Sequence, residues 1–151
     1  IRSLGVKLKH SINKTLIKNK SLILIDDSLV RGTTSVKIIK MLYESGAKEV
    51  HLRIASPPIK YPDYYGINTP TKDELLASKL NLEEMRKFIN ATTLQFLSID
   101  GLYKSMGYEK RNTSYPQFTD HCFTGDYPIE PIDANIKNFS GEKLSFLSSK
   151  L

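Results

Sequence analysis

Residues 22–35 read Leu22-Ile23-Leu24-Ile25-Asp26-Asp27-Ser28-Leu29-Val30-Arg31-Gly32-Thr33-Thr34-Ser35, and the fold class follows from them. Four consecutive β-leaning apolar residues without polar alternation predict a strand buried on both faces, as in the middle of a parallel sheet. Asp26 to Thr33 is a polar turn. Beyond it Val36, Ile39, Leu42 and Tyr43 recur at three- and four-residue spacing, the apolar stripe of a helix lying on a core. Gly46 ends that helix in the usual C-terminal position. Val50-His51-Leu52-Arg53-Ile54-Ala55 is the next strand. Strand, turn, helix, short loop and strand make a βαβ unit, which is parallel and almost always right-handed. The fold class is α/β.

Working outward, Ile1 to Asn19 is mixed and basic, a loop followed by a short helix or strand. Pro57, Pro58, Pro62 and Pro70 break regular structure and predict a long loop that carries Tyr61, Tyr64 and Tyr65. Thr71 with Glu74, and Asn81 with Glu84, place a capping side chain three residues before an acid and predict two capped helices. Leu94 to Ile99 is a short strand, and Asp100 starts a brief helix. Past Pro128 the composition turns polar, and 129–151 reads as a weakly ordered tail. The organisation is one domain, 1–128, with an appendix.

Composition agrees with a single soluble domain. The chain has 151 residues, 40% of them hydrophobic and 25% charged, enough to bury a core. A net charge of +6 from scattered basic residues favours anionic partners, without separating nucleic acid from small phosphorylated molecules. No run approaches the roughly 18 apolar residues of a membrane span. One cysteine, Cys122, rules out an internal disulfide framework and suits a reducing compartment, with the cytosol as the expected location.

The chemistry lies in the turn. A buried strand delivers Asp26 and Asp27 to the C-terminal edge of the sheet, where open α/β sheets bind ligands. Adjacent carboxylates repel, so a divalent ion or a ribose diol is a natural counterpart. Arg31-Gly32-Thr33-Thr34-Ser35 opens the following helix, where free N–H groups, hydroxyls and a glycine form a cradle for a phosphate monoester. An acid pair alone is ordinarily a turn, and a Thr/Ser-rich helix start alone is ordinarily a cap. Directly after an all-apolar strand, the two together have the layout of ribose 5-phosphate. There is no G-x-x-x-x-G-K-[ST] and no G-x-G-x-x-G, so neither a Walker loop nor a dinucleotide fingerprint is present. A phosphorelay receiver would need an acceptor Asp after a later strand, where Asn68 stands in a Pro-rich loop.

The stretch resembles the PRPP-binding signature of type I phosphoribosyltransferases. The form D-D-S-L-V-R-G-T-T-S is particularly similar to the amidophosphoribosyltransferases. The similarity continues through G-A-K-E-V-H-L-R-I-A-S-P-P-I-K-Y-P-D-Y-Y-G-I-N-T-P-T-K-D-E-L-L-A, F-L-S-I-D-G-L and C-F-T-G-D-Y-P. It implies a partial type I phosphoribosyltransferase fold with a parallel sheet and C-terminal helices. It further implies that Asp26 and Asp27 bind the ribose hydroxyls of PRPP and Mg²⁺. Arg31, Gly32, Thr33 and Thr34 would hold the 5-phosphate. The implied reaction is the formation of 5-phosphoribosylamine from PRPP and glutamine at the head of purine synthesis. PRPP and purine nucleotides are the expected ligands, with no nucleic acid and no membrane. The rivals are a non-catalytic PRPP- or nucleotide-binding fragment and a stand-alone phosphoribosyltransferase for a free base; the long match outside the turn weighs against the second.

Two departures carry expectations. Some members of the family hold an iron–sulfur cluster on four cysteines, and the positions matching three of them are Asp63, Thr119 and Cys122; with one thiol, no iron–sulfur cluster is expected. The family's glutaminase domain, pyrophosphate-binding turn and closing loop would precede Ile1. The chain is therefore expected to be a C-terminal portion, inactive alone, working with a separate N-terminal half or as a homo-oligomer. Leu22 to Ile25 would then leave one face or edge to solvent. His10, His51 and His121 lack zinc spacing, and His51, inside a strand, reads as structural. The three tyrosines read as packing within their own loop, and Lys7 and Lys9 either touch phosphate or coat the surface.

Overall fold

The computed structural model describes residues 12–66, 69 and 71–129. Lys7, Lys9, His10 and Asn68, and the tail apart from Ile129, lie outside the described residues. The elements run α1 (Lys14–Ile17), β1 (Ser21–Asp26), α2 (Thr33–Glu44), β2 (Glu49–Ile54), a 3-10 turn (Lys72–Glu74), α3 (Leu76–Lys79), α4 (Leu82–Ile89), β3 (Thr93–Phe96), α5 (Ile99–Ser105) and α6 (His121–Thr124). The three strands form one parallel sheet in the order β1-β2-β3. Leu24 pairs with Leu52, and Leu52 with Leu94.

Side-chain alternation along that register decides which face carries the core. Val50, Leu52 and Ile54 of β2 and Leu94 of β3 are buried on the face covered by α2 and α4. Ile39 of α2 and Met85 and Ile89 of α4 complete the cluster. The opposite face of β2 presents His51 and Arg53, both tied into polar contacts. His51 Nδ1 meets Thr93 Oγ1 at 2.9 Å and its Nε2 meets Ser21 Oγ at 3.1 Å. The structural reading of His51 holds.

On β1 the expectation of a strand buried on both faces fails. β1 lies at an edge of this sheet, and Ile23 and Ile25 are 69% and 72% exposed. Their apolarity follows the rule for parallel sheets, which are covered on both faces, and the covering layer is not among the described residues. The face left open to solvent matches the other expectation for this strand.

Local signals place the remaining elements. Gly46 stands past the end of α2 at φ +95°, and the Ala47 N–H returns to the Leu42 carbonyl at 3.1 Å, the left-handed cap expected there. The Asn81–Glu84 capping box is complete, at 2.9 and 2.8 Å. The Thr71–Glu74 pair caps only a single 3-10 turn, because the chain extends at Leu75 before α3 begins. Helix α5 opens one residue earlier than expected, with Ser98 Oγ accepting from the Gly101 N–H at 3.0 Å, so β3 is cut short at Phe96.

C-terminal to the sheet, a buried ion pair organises the loops. Arg111 Nε donates to Asp120 Oδ2 at 2.5 Å, its Nη2 reaches Asp120 Oδ1 at 3.1 Å, and the buried Tyr103 hydroxyl donates to Oδ2 at 2.8 Å. Burial acts to raise the Asp120 pKa, but the hydrogen bonds from Arg111, Tyr103 and Thr124 outweigh it and hold the carboxyl below its ordinary range. Its stabilising contribution is thus present above the unfolded-state pKa and lost as pH falls through the lower folded-state value. Replacing Asp120 with Ala should cost about 3–5 kcal/mol, since it removes the buried partner of the Arg111 guanidinium and leaves it only the more exposed Asp126. In urea titrations the deficit should be full at pH 7 and shrink below about pH 4. A deficit that stays constant with pH would show that packing, not charge, is lost.

Candidate functional site

The turn between β1 and α2 builds the site from its backbone outward. Leu29, 1% exposed, plugs it into the core, and the Val30 carbonyl accepts the Leu76 N–H of α3 at 2.8 Å. Gly32 is the N-cap of α2 at φ +74°. A Cβ there would come to 3.0 Å from Leu76 Cδ2 and 3.1 Å from Phe88 Cε1. Two constraints, a left-handed backbone and the lack of room, require glycine. The sequence reading gave this residue to close approach by a phosphate; the close approach seen is that of α3 and α4.

Because the N-cap has no side chain, no capping hydrogen bond is made, and the first-turn N–H groups at Thr33, Thr34 and Ser35 have no intrahelical acceptor. Thr33 and Thr34 are exposed, and Ser35 is buried. Facing them at the end of β1 are Asp26, half-buried, and Asp27, exposed. Asp26 Oδ1 accepts the Asp27 N–H at 3.1 Å, and Asp27 Oδ1 accepts the Ser28 hydroxyl at 2.9 Å. Among the described residues no cation pairs with either acid. The turn from Asp26 to Ser35 encloses a pocket of about 310 Å³. All six residues predicted from sequence line it.

Arg31 lines the pocket as well, but its guanidinium is engaged. It donates from Nε to Glu74 Oε1 at 3.2 Å, and that bond, ahead of the opposing effect of desolvation, holds Glu74 below the usual carboxylate range. Glu74 was legible only as a cap. A larger groove, about 870 Å³, lies between Ser98 and Gln117. Its one arginine, Arg111, is already bound by Asp120 and Asp126, and no helix N-terminus of comparable length opens onto a carboxylate pair there.

An acid pair at a parallel strand's C-terminal end, followed by an uncapped helix start over a short glycine turn, defines a type I phosphoribosyltransferase core. The chain belongs to the amidophosphoribosyltransferases. It is 56% identical to the amidophosphoribosyltransferase of Rhizobium etli over 99% of this chain and 30% of that protein. It is 46% identical to the chloroplastic amidophosphoribosyltransferase 1 of Arabidopsis thaliana over 94% of this chain and 24% of that protein. Among solved structures it matches the glutamine PRPP amidotransferase of Bacillus subtilis complexed with ADP and GMP, with a TM-score of 0.70 and 47% identity. That match covers 78% of this chain and 26% of the other. The chain thus spans roughly a quarter to a third of the length of these relatives. No protein-family model matches it.

Gly32→Ala should lower stability by about 1–3 kcal/mol, from strain at positive φ and overlap with Leu76. Asp27→Asn, which removes the exposed member of a like-charged pair, should stay within about 0.5 kcal/mol of the parent. Thermal melts of both variants measure the contrast. Equal losses would mean that the acid pair, like the glycine, is structural.

Proposed function

We propose that this chain supplies the ribose 5-phosphate-binding turn of an amidophosphoribosyltransferase, which makes 5-phosphoribosylamine, pyrophosphate and glutamate from PRPP and glutamine. The observation that carries the reading is the pocket in which two unpaired carboxylates face an uncapped helix start. The family resemblance that led from sequence to this reaction agrees with the relatives' names.

In this reading the N–H groups at the start of α2 and the hydroxyls of Thr33 and Thr34 accept the 5-phosphate, with the helix dipole contributing about 0.3–1 kcal/mol. Gly32 lets the helix begin, packed against Leu76 and Phe88, without a capping side chain. Arg31 contributes positive charge at the rim and, through Glu74, ties the turn to the segment before α3. Asp26 and Asp27 accept hydrogen bonds from the ribose 2- and 3-hydroxyls and so hold the sugar opposite the phosphate. Their hard oxygen donors, with no cation paired to either among the described residues, also suit Mg²⁺. Held by Asp26 and Asp27, such an ion would offset the negative charge of the acid pair and of the departing pyrophosphate. Catalysis by these residues is positioning and charge complementarity. The groups that handle glutamine and pyrophosphate are not assigned within this stretch, and the 151 residues alone are expected to bind without turnover.

Purine nucleotides are the natural competitors for a site built around ribose and phosphate, and the Bacillus subtilis structure is described as complexed with ADP and GMP. Among the described residues no helix is long and apolar enough to cross a membrane, and the proposal is a cytoplasmic enzyme with no membrane or nucleic-acid partner. It works with an N-terminal half or as a homo-oligomer. With one cysteine in the sequence, this stretch cannot supply a four-thiolate iron–sulfur cluster.

Calorimetric titration with PRPP tests the reading. Binding should strengthen with Mg²⁺, weaken in Asp27→Asn, and lose about 1.5–3 kcal/mol in Thr33→Val if that hydroxyl meets a charged oxygen. Heat that is indifferent to the metal and to both substitutions would overturn it.

A further inference from the structure

Away from the phosphate pocket, the long loop after β2 folds against α6. Lys60 and Tyr61 both donate backbone N–H groups to the Cys122 carbonyl, at 2.9 and 3.1 Å. The loop then turns inward and places Asp63 against His121, with Oδ2 and Nε2 2.7 Å apart; the two side chains are 4% and 5% exposed. The Tyr65 N–H donates to the carboxylate Oδ1 at 2.8 Å, and the Asp63 backbone N–H donates to Thr69 Oγ1 at 2.6 Å. Tyr65 and Tyr127 pack their rings 5.1 Å from the imidazole centroid, and the Tyr127 hydroxyl is held by the Pro62 carbonyl at 2.8 Å. Three donors of different chemistry, a carboxylate oxygen, an imidazole nitrogen and the Cys122 sulfur, lie within 4.8 Å of one another in this enclosure.

One arrangement is unexplained by packing alone. The imidazole meets Asp63 through Nε2, while its Nδ1 is buried with no hydrogen-bond partner. The thiol stands beside a buried carboxylate; burial first, and then the Asp63 charge, push the Cys122 pKa up. A thiol held as a neutral hydrophobe does not need to sit at the focus of an acid and an imidazole.

We propose that Asp63, His121 and Cys122 bind one divalent transition-metal ion of the zinc type. One oxygen, one nitrogen and one sulfur match the mixed donor sets that such ions take, with a fourth position left for water. Metal–ligand bonds of about 2.0–2.3 Å put donors of a tetrahedral site about 3.3–3.7 Å apart. The three therefore close on an ion by side-chain adjustment alone, with the Asp63–His121 contact opening slightly. Binding releases the thiol proton to solvent, and the ion's charge compensates the thiolate next to Asp63. Asp63 belongs to the loop after β2 and the other two to α6, so the ion staples these segments. None of the three residues lines the phosphate pocket, and the site stands independently of the function assigned to that pocket.

Cobalt(II) titration of the purified chain is the test, with zinc content by mass spectrometry alongside it. The expected result is one equivalent of zinc per chain retained through dialysis, and a thiolate-to-cobalt charge-transfer band that zinc displaces. Cys122→Ser should abolish that band and weaken zinc binding roughly tenfold or more, with unchanged circular dichroism because the Asp63–His121 pair is left in place. Asp63→Asn should weaken zinc binding comparably. A melting temperature indifferent to zinc and chelator, the absence of the band, or metal retention unchanged in Cys122→Ser would each overturn the proposal and leave a bare buried ion pair.

Discussion

Gly32 sits at φ +74° with Leu76, Phe88 and Ile89 closed over the space where a side chain would begin. Much of the site depends on that one contact. It brings the start of α2 down onto α3 and α4, so the helix begins without a capping side chain and with its N–H groups open. The same close approach lets the Val30 carbonyl reach the Leu76 N–H and buries Leu29. The turn is thereby rigid on its inner side and chemically unsatisfied on its outer side. A phosphate supplies what the outer side lacks, and the acid pair at the end of β1 supplies the other pole of the pocket. Because a Cβ at position 32 would meet Leu76 and Phe88, no serine or aspartate can stand there to cap the helix and remove its demand for an anion.

The sheet explains why the pocket faces outward at one edge. With β1, β2 and β3 parallel, their C-terminal ends share one side of the molecule, and the turn after β1 rises there. The helices α2 and α4 cover a single face, so the core is asymmetric: Val50, Leu52 and Ile54 are buried while Ile23 and Ile25 stand open. Relatives of three to four times this length have ample chain to cover that second face. The apolar sequence of β1 is written for such a covering layer.

Much of this was legible beforehand because it is local. The all-apolar run, the spacing of Val36, Ile39 and Leu42, the glycine after α2 and the Asn81–Glu84 box each encode structure within a few residues. The six predicted residues of the pocket lie within the single run 26–34, which is why the strand–acid–glycine–threonine order exposed them. What was missed is non-local. The Arg31–Glu74 bond spans 43 residues and the Asp63–His121 pair 58. Neither leaves a periodic trace, and Glu74 was already accounted for as a cap. The buried Arg111–Asp120–Tyr103 group likewise has no sequence signature, since each residue alone reads as surface or packing. The expected burial of β1 on both faces failed for a related reason: apolarity reports that a face is meant to be covered, not which residues cover it.

The central claim is that an anion is bound by the start of α2 opposite the acid pair. Amide chemical-shift mapping with ribose 5-phosphate and Mg²⁺ measures this most directly. The account predicts that the largest changes fall on the amides of Gly32 to Ser35, with smaller ones at Asp26 and Asp27 that depend on the metal. Changes concentrated instead in the groove between Ser98 and Gln117, with residues 26–35 unmoved, would contradict it.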